Sequence, residues 1–456
     1  MAWAWKTSAI ENTRFEIKYT PYFSSIGPVS TACPTYDPRA TRIWVKIECD
    51  YTRRILVKAI AKRQSRLCGV KNQKDASILW ADYEDLDFDR VLASGGKIKA
   101  NSYLVRKGLA RKAQLAYYLR KYMAKRPRSI LHGAIPETLV IETWEAFEEG
   151  MSFGALGATF DGNLTATLSL RDRLDWCLRD ARERIARSPG STWILKPSVT
   201  NKGAEITVFK DYQSMRDIVR TWPDVREWVL QAYIVTPLLY RRRKFHLRCY
   251  VLAVGNLSVY VWRQILLLTS TVEYDSEDLC NQLAHVTNTA RQVEDGEMCP
   301  AAEDCVFSLD DLVDDLRTKQ HLSLEQAGGI VSDIRGGIEN VTGELFKALH
   351  GERTVFAPVP QCFELLGLDF LVSMDQTSSN ESGLPVLTPQ VHLLEVNPGP
   401  DFKQTGPRLK SVIEGLLEAT LDVAVLEDEE ISKDLALVYQ SLHPENGEVG
   451  MRLLDG

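Results

Sequence analysis

Hydrophobic and polar positions change period several times along the chain, and each change predicts an element. Residues 1 to about 95 read as short mixed segments with one alternating strand, Thr41 to Cys49, among turn signals at Pro34, Pro38 and Gly95-Gly96. From Asn101 to Met123 the period becomes helical. At about 100° per residue, Val105, Leu109, Leu115, Ala116, Leu119 and Met123 share one broad face, and Arg106, Lys107, Arg111, Arg120 and Lys121 fall on the other. Lys112 breaks the pattern by projecting into the middle of the apolar face. After Pro136 comes a strand, Thr138 to Glu142, and then a Gly-rich stretch, Gly150 to Gly162, that reads as a mobile loop.

A charged helix, Arg171 to Arg187, stops at Ser188-Pro189-Gly190. Trp193 to Lys196 then forms a strand running into Pro197-Ser198-Val199-Thr200-Asn201-Lys202-Gly203. Further strands are expected at Glu227 to Ile234, Phe245 to Val254 and Leu257 to Leu267, with residues 275 to 350 as helices and loops packed outside a sheet. Two last apolar runs, Phe363 to Ser373 and Val391 to Val396, flank a Ser, Asn, Glu, Gly and Pro-rich connector that reads as a flexible hairpin loop. No internal repeat is visible.

A length of 456 residues allows about three domains. Apolar residues at 45% and charged residues at 25% are globular values, so disordered, collagen-like and coiled-coil classes lose compositional support. Met1 to Lys6 lacks a secretory apolar run, and no stretch approaches the roughly 18 apolar residues of a membrane span, so neither secretion nor insertion is expected. Nine scattered cysteines, with no C-x-x-C pair, read as reduced thiols of a cytoplasmic protein. The net charge of −6 hides an asymmetry: Lys97 to Arg128 holds eleven Lys and Arg and no acid, while acidic runs lie at Glu303 to Asp315 and Glu427 to Glu430.

Chemistry concentrates in three places. Glu395 and Asn397 are two apart and so share one face of a strand that Pro398-Gly399-Pro400 ends. If Ser373 pairs with Val391, Asp369 lies opposite Glu395. Two carboxylates and an amide oxygen then form an oxygen-rich Mg²⁺ site of the kind that nucleotide phosphates complete. An ordinary strand polar residue and a turn cap are the other reading of the same stretch. Lys196 ends an otherwise apolar strand, and Lys112 interrupts an apolar helix face. Either can snorkel to water, but one common anion answers both. In Arg243-Lys244-Phe245-His246-Leu247-Arg248, alternation puts Lys244, His246 and Arg248 on one face. That face suits a phosphoryl group and an oxyanion, or else the wet side of an edge strand.

In order along the chain, Leu109-Ala110-Arg111-Lys112-Ala113, Trp193-Ile194-Leu195-Lys196-Pro197-Ser198, Lys202-Gly203, Gln231-Ala232-Tyr233-Ile234, Arg243 to Arg248, His285-Val286-Thr287-Asn288, Gly367-Leu368-Asp369-Phe370 and Leu394-Glu395-Val396-Asn397-Pro398 resemble the tubulin tyrosine ligase family. The resemblance runs from about residue 100 to 400. It implies an α/β fold of the ATP-grasp type with an N-terminal lobe (1–100), a central lobe with a phosphate flap (101–235) and a C-terminal lobe with a metal-binding hairpin (236–456), ATP lying between the last two. It gives Lys112, Lys196 and Lys244 to ATP, Lys202 and Gly203 to the flap, and Gln231, Tyr233 and Ile234 to the linker along which adenine lies. Asp369, Glu395 and Asn397 would hold Mg²⁺, and Lys244, Arg248 and Arg263 would carry the catalysis.

The chain departs from the family pattern at Ala232, Glu205, His246 and Leu268, where the family has Lys, Gly, Asp and a second Arg. The activity implied is ATP-dependent ligation of a free amino acid, tyrosine or glutamate, to a polypeptide carboxylate through an acylphosphate. The acceptor would be tubulin or another acidic-tailed protein, and the enzyme a monomer away from membranes. The departures support a second expectation, an ATP-binding, ligation-deficient module acting on microtubules or an RNA–protein assembly. The basic face from Lys97 to Arg128 suits an acidic tail or a nucleic-acid backbone, or is a plain solvated helix face.

Overall fold

The computed structural model describes residues 39–143, 170–199, 206–222, 224–287, 305–379, 385–406, 408–428, 430 and 432–441. The Gly150–Gly162 loop, Lys202, Gly203, Glu205 and Asn288 lie outside these residues.

The first unit alternates β1 (Thr41–Lys46), α1 (Asp50–Ala61), β2 (Leu67–Gly69), β3 (Ile78–Ala81), α2 (Phe88–Ala93) and β4 (Lys99–Ala100). Its strands pair in parallel in the order β2-β1-β3-β4, as short crossovers through helices require. Ile55, Leu56, Ala59 and Ile60 form the buried side of α1.

The single helix expected over Asn101–Met123 is two helices, α3 (Lys107–Ala110) and α4 (Lys112–Ala124). Arg111 between them is extended, with φ −103° and ψ 120°. A contact distant in sequence makes the break: the backbone N–H groups of Lys112 and Ala113 donate to the carbonyl and hydroxyl oxygens of Ser198, at 3.3 and 3.1 Å. Lys112 therefore opens a helix instead of interrupting one. After α5 (Leu131–Ala134), the second unit is an antiparallel sheet in the order β5-β8-β6-β7, formed by β5 (Thr138–Glu142), β6 (Trp193–Pro197), β7 (Thr207–Phe209) and β8 (Glu227–Ala232). It is backed by α6 (Leu170–Arg187) and α7 (Tyr212–Thr221), and Trp193, Trp228, Ile141 and Met215 fill its core.

The third unit is an eight-stranded antiparallel sheet centred on β10 (Arg243–Val254), which follows β9 (Leu239–Tyr240). The run expected as one strand from Leu257 to Leu267 is β11 (Ser258–Trp262) and β12 (Leu266–Thr269), because polar Arg263-Gln264 turns the chain. Helix α8 (Gln282–His285), β13 (Val306–Ser308), α9 (Leu312–Gln320) and α10 (Leu324–His350) follow. Helix α10 starts at a Ser323–Gln326 capping box and buries Ile330, Ile334, Ile338, Val341, Leu345 and Leu349, a stripe at helical spacing. The chain closes with β14 (Phe363–Ser379), β15 (Pro385–Pro398), α11 (Lys410–Thr420) and β16 (Leu435–Gln440). The β14–β15 strands extend well into the connector expected as loop.

Two clusters of buried side chains line the two faces of this large sheet. Leu109, Leu115, Leu119 and Leu131 pack into the first, with Leu247, Phe370 and α10, so α3 to α5 join the large sheet where the sequence grouped them with the central lobe. On the other face α1 and α11 pack together over Tyr250, Leu252 and Trp262. Lys58–Glu414 at 3.1 Å and Arg63–Asp422 at 2.5 Å tie the first unit down. The described cysteines are all free thiols. Among the described residues no helix is long and apolar enough to cross a membrane.

Candidate active site

A cavity of about 450 Å³ opens between the central sheet and the large sheet. Its floor is the start of β10. This strand is no edge: β12 pairs with Phe245–Arg248 on one side and β14 with Leu247–Val254 on the other. Alternation sends Phe245, Leu247 and Cys249 into the core and Lys244, His246 and Arg248 into the cavity.

The β14–β15 hairpin supplies the oxygen donors. Asp369 does lie opposite Glu395, although Ser373 pairs with Gln390 and Val391 with Val372. A bulge after Asp369, which leaves Leu394 as the extra residue, restores the alignment that the assumed register reaches without it. Asn397 donates its amide N–H groups to Asp369 Oδ2 at 3.1 Å and Glu395 Oε1 at 3.2 Å. Arg248 grips Asp369 with two N–H groups, Nη2 reaching Oδ2 at 2.9 Å. Lys112 meets Glu395 Oε2 at 3.1 Å. Burial pushes the Glu395 carboxyl up, but Lys112 and Lys196 outweigh it with help from Asn397, bringing it down to about 2. Two carboxylates and an amide on one strand pair fit an oxygen-seeking dication in kind. Such an ion would compete with Arg248 and Lys112 for their oxygens.

The opposite end of the cavity is built differently. Lys196, buried at the end of β6, donates to Gln231 Oε1 at 2.9 Å, and Gln231 is oriented by its own donation to Thr138 Oγ1 at 3.0 Å. Lys244 donates to the Tyr233 hydroxyl at 2.7 Å and the His285 carbonyl at 2.9 Å. His285 Nε2 lies 2.9 Å from the Asp278 carbonyl, which only accepts, so that nitrogen carries the proton and Nδ1 accepts from the Tyr233 hydroxyl at 2.7 Å. Every bond in the chain from Lys244 through Tyr233 and His285 to Asp278 thus has a fixed direction. Burial, with Lys196 nearby, lowers the Lys244 ammonium to about 7. Burial likewise takes Lys196 down to about 8, with Glu395 opposing the shift. His246 shares a 2.6 Å hydrogen bond with Thr287 Oγ1 and stands 3.9 Å from Asp369, and burial lowers its pKa.

The structure therefore gathers Lys112, Lys196, Gln231, Tyr233, Ile234, Lys244, Arg248, Asp369, Glu395 and Asn397 around one cavity. Arg263 does not join them. It sits in the exposed β11–β12 turn and pairs with Glu339 of α10 at 2.9 Å, while Leu268 is buried directly across from His246. Sequence reasoning gave no role to His285, Thr287, Ser198 or Thr138. The first two lie in the His285-Val286-Thr287-Asn288 segment already noted. Gly367 was also missed: a Cβ there would meet Pro400 Cβ at 3.1 Å and Arg248 Cδ at 3.2 Å, so the glycine makes room for the guanidinium stem.

Two lobes closing on such a cleft define an ATP-grasp fold. The crystal structure of the C-terminal domain of Pby1 from K. lactis, described as an ATP-grasp enzyme interacting with the mRNA decapping enzyme Dcp2, matches 88% of this chain and all of that one, with a TM-score of 0.60 and 26% identity. A sequence profile of the tubulin-tyrosine ligase family matches residues 108–433, and the chain belongs to that family. A probable tubulin–tyrosine ligase of Schizosaccharomyces pombe is 29% identical over 84% of this chain and 91% of its own length. The probable tubulin–tyrosine ligase PBY1 of Saccharomyces cerevisiae is 29% identical over 76% of this chain, which spans 45% of that longer protein.

Proposed function

We propose that the protein is an ATP-dependent ligase joining the amine of an amino acid to a polypeptide carboxylate. The observation that carries this reading is a pair of buried cations, Lys196 and Lys244, which among the described residues have no carboxylate in an ion pair and which face a carboxylate-lined hairpin. Buried ammonium groups held by neutral partners alone are destabilising until an anion arrives, and a triphosphate supplies one. Lys196 and Lys244 bind the phosphates, and the linker from Gln231 to Ile234 borders the base.

Asp369, Glu395 and Asn397 would hold Mg²⁺, which when bound draws charge from the phosphate oxygens. The acceptor carboxylate takes the γ-phosphoryl group, releasing ADP. The amine then attacks the acyl carbon, phosphate leaves, and the amide forms as the nitrogen loses its proton. Arg248 and Lys244 stabilise the oxyanion on that path. Similarity to probable tubulin–tyrosine ligases supports tubulin as acceptor.

A second reading, a nucleotide-binding module within an RNA–protein assembly, is favoured by the likeness to Dcp2-interacting Pby1 and by neutral His246 beside Arg248. Amide formation from tubulin, labelled amino acids and Mg-ATP separates the two. The ligase reading expects product from the wild type and none from Arg248→Lys, which loses the fork geometry while nucleotide still binds. A wild type without product under conditions where it binds ATP favours the module.

A further inference from the structure

A second cavity, of about 590 Å³, opens where β1 hands over to α1 and faces the start of α11. In the parallel order β2-β1-β3-β4 the chain leaves β1 to one side for β2 and returns to the other side for β3. The carboxyl end of β1 is therefore the place where connections diverge and a crevice forms. Its walls carry four cations, Arg54, Lys58, Lys403 and Lys410, against two carboxylates, Asp50 and Glu414. Those carboxylates are already shared. Asp50 serves Arg54 at 2.6 Å and Arg53 as well, while Glu414 serves Lys58 at 3.1 Å and Lys410 at 3.7 Å. Lys403 forms no ion pair with a described carboxylate. The hydroxyl of Tyr51, on the same wall, has no hydrogen-bond partner among the described residues.

This crevice adjoins the main cleft. The backbone N–H of Lys403 is held by Asp401 Oδ1 at 3.0 Å, and Asp401 lines the main cleft, following Asn397 in the chain. In the ligase reading above, the acceptor carboxylate meets the γ-phosphoryl group beside the hairpin residues Asp369, Glu395 and Asn397, which line the cleft together with Asp401.

We propose that the crevice bordered by Arg54, Lys58, Lys403 and Lys410 docks the acidic polypeptide segment that carries the acceptor carboxylate. The inference rests on the ligase reading above. Excess cations at a cleft mouth draw in and orient a flexible polyanion. Carboxylate side chains fit the surface better than nucleic acid does. Asp50 and Glu414 interrupt the cations and would repel a continuous phosphate backbone, and among the described lining residues Tyr51 alone is aromatic, where single strands need successive stacking faces.

Fluorescence anisotropy of a labelled oligoglutamate peptide on the full chain tests the assignment without turnover. The wild type is expected to bind with an affinity that falls as salt rises. Lys403→Glu and Lys410→Glu should each weaken binding roughly fivefold, as reversal of a rim charge does. Lys125→Glu, on the basic face after α4, should leave it unchanged. No wild-type binding, unchanged binding in both crevice variants, or loss in Lys125→Glu alone overturns the proposal. Tighter binding of oligouridylate, weakened by the same two substitutions, overturns it in favour of nucleic acid. Peptide docking through Lys403 without any amide product would refute ligation and sustain the crevice. Amide formation with an unchanged peptide KM in Lys403→Glu would do the reverse.

Discussion

The two ends of the main cleft solve the same problem, holding charge out of water, in opposite ways. At the hairpin, positive and negative groups meet directly, Arg248 on Asp369 and Lys112 on Glu395. At the linker, Lys196 and Lys244 are held by an amide oxygen, a hydroxyl and a carbonyl. Among the described residues the hairpin carboxylates are paired with cations, whereas Lys196 and Lys244 at the linker end enter no ion pair. Removing a partner should therefore unfold the first and relax the second.

The largest expected effect is at the hairpin. Asp369→Asn leaves the buried Arg248 guanidinium without its counter-charge and should lower stability by about 3 kcal/mol, read by denaturant melting. A change near zero would erase the contrast. Lys196→Met should act the other way. The apo protein keeps or gains stability because an uncompensated ammonium is gone, while ATP affinity falls roughly thirtyfold, about 2 kcal/mol, as a charged hydrogen bond to phosphate is lost. Titration and melting of the same variant check both halves.

A smaller effect is expected in the directional chain behind Lys244. His285→Phe removes the acceptor of the Tyr233 hydroxyl and should weaken ATP binding by about 1 kcal/mol, with His285→Gln recovering part of it. Equal losses for both variants would argue that the imidazole only packs.

The pH dependence sharpens the same contrast. Lys244 titrates near 7 and Lys196 near 8 in the folded chain, against 10.5 for an ordinary lysine. Between those limits the unfolded chain binds more protons, so apo stability should rise as pH rises through the window. Phosphates favour the charged lysines, so ATP binding at pH about 8 should take up protons. Calorimetry in buffers of different ionisation heat reads that uptake, and proton release would contradict it.

Local patterning carried the site's main parts. Alternation in Lys244–Arg248 and the two-residue spacing of Glu395 and Asn397 are properties of a strand, and both side-chain sets do point into the cleft. What the sequence hid depends on contacts distant along the chain. The break at Arg111 exists because Ser198 takes two backbone N–H groups of α4, and no residue near Arg111 signals it. The Asp369–Glu395 register needs a bulge at Leu394 that alternation cannot announce in an apolar run. Arg263 looked close to the cleft in sequence, but the β11–β12 turn carries it to the α10 side, where Glu339 takes it. Of the basic face, Arg106 is a structural tie, stacked 4.0 Å over Tyr83 and paired with buried Glu364.

The most direct measurement of the central claim is melting of the wild type and Glu395→Gln with and without Mg-ATP. The account predicts a clear rise in Tm for the wild type that grows with nucleotide concentration, as mass action requires, and a smaller rise in Glu395→Gln. No rise at millimolar Mg-ATP would contradict an anion site at Lys196 and Lys244, and an equal rise in Glu395→Gln would contradict the hairpin as its metal-holding half.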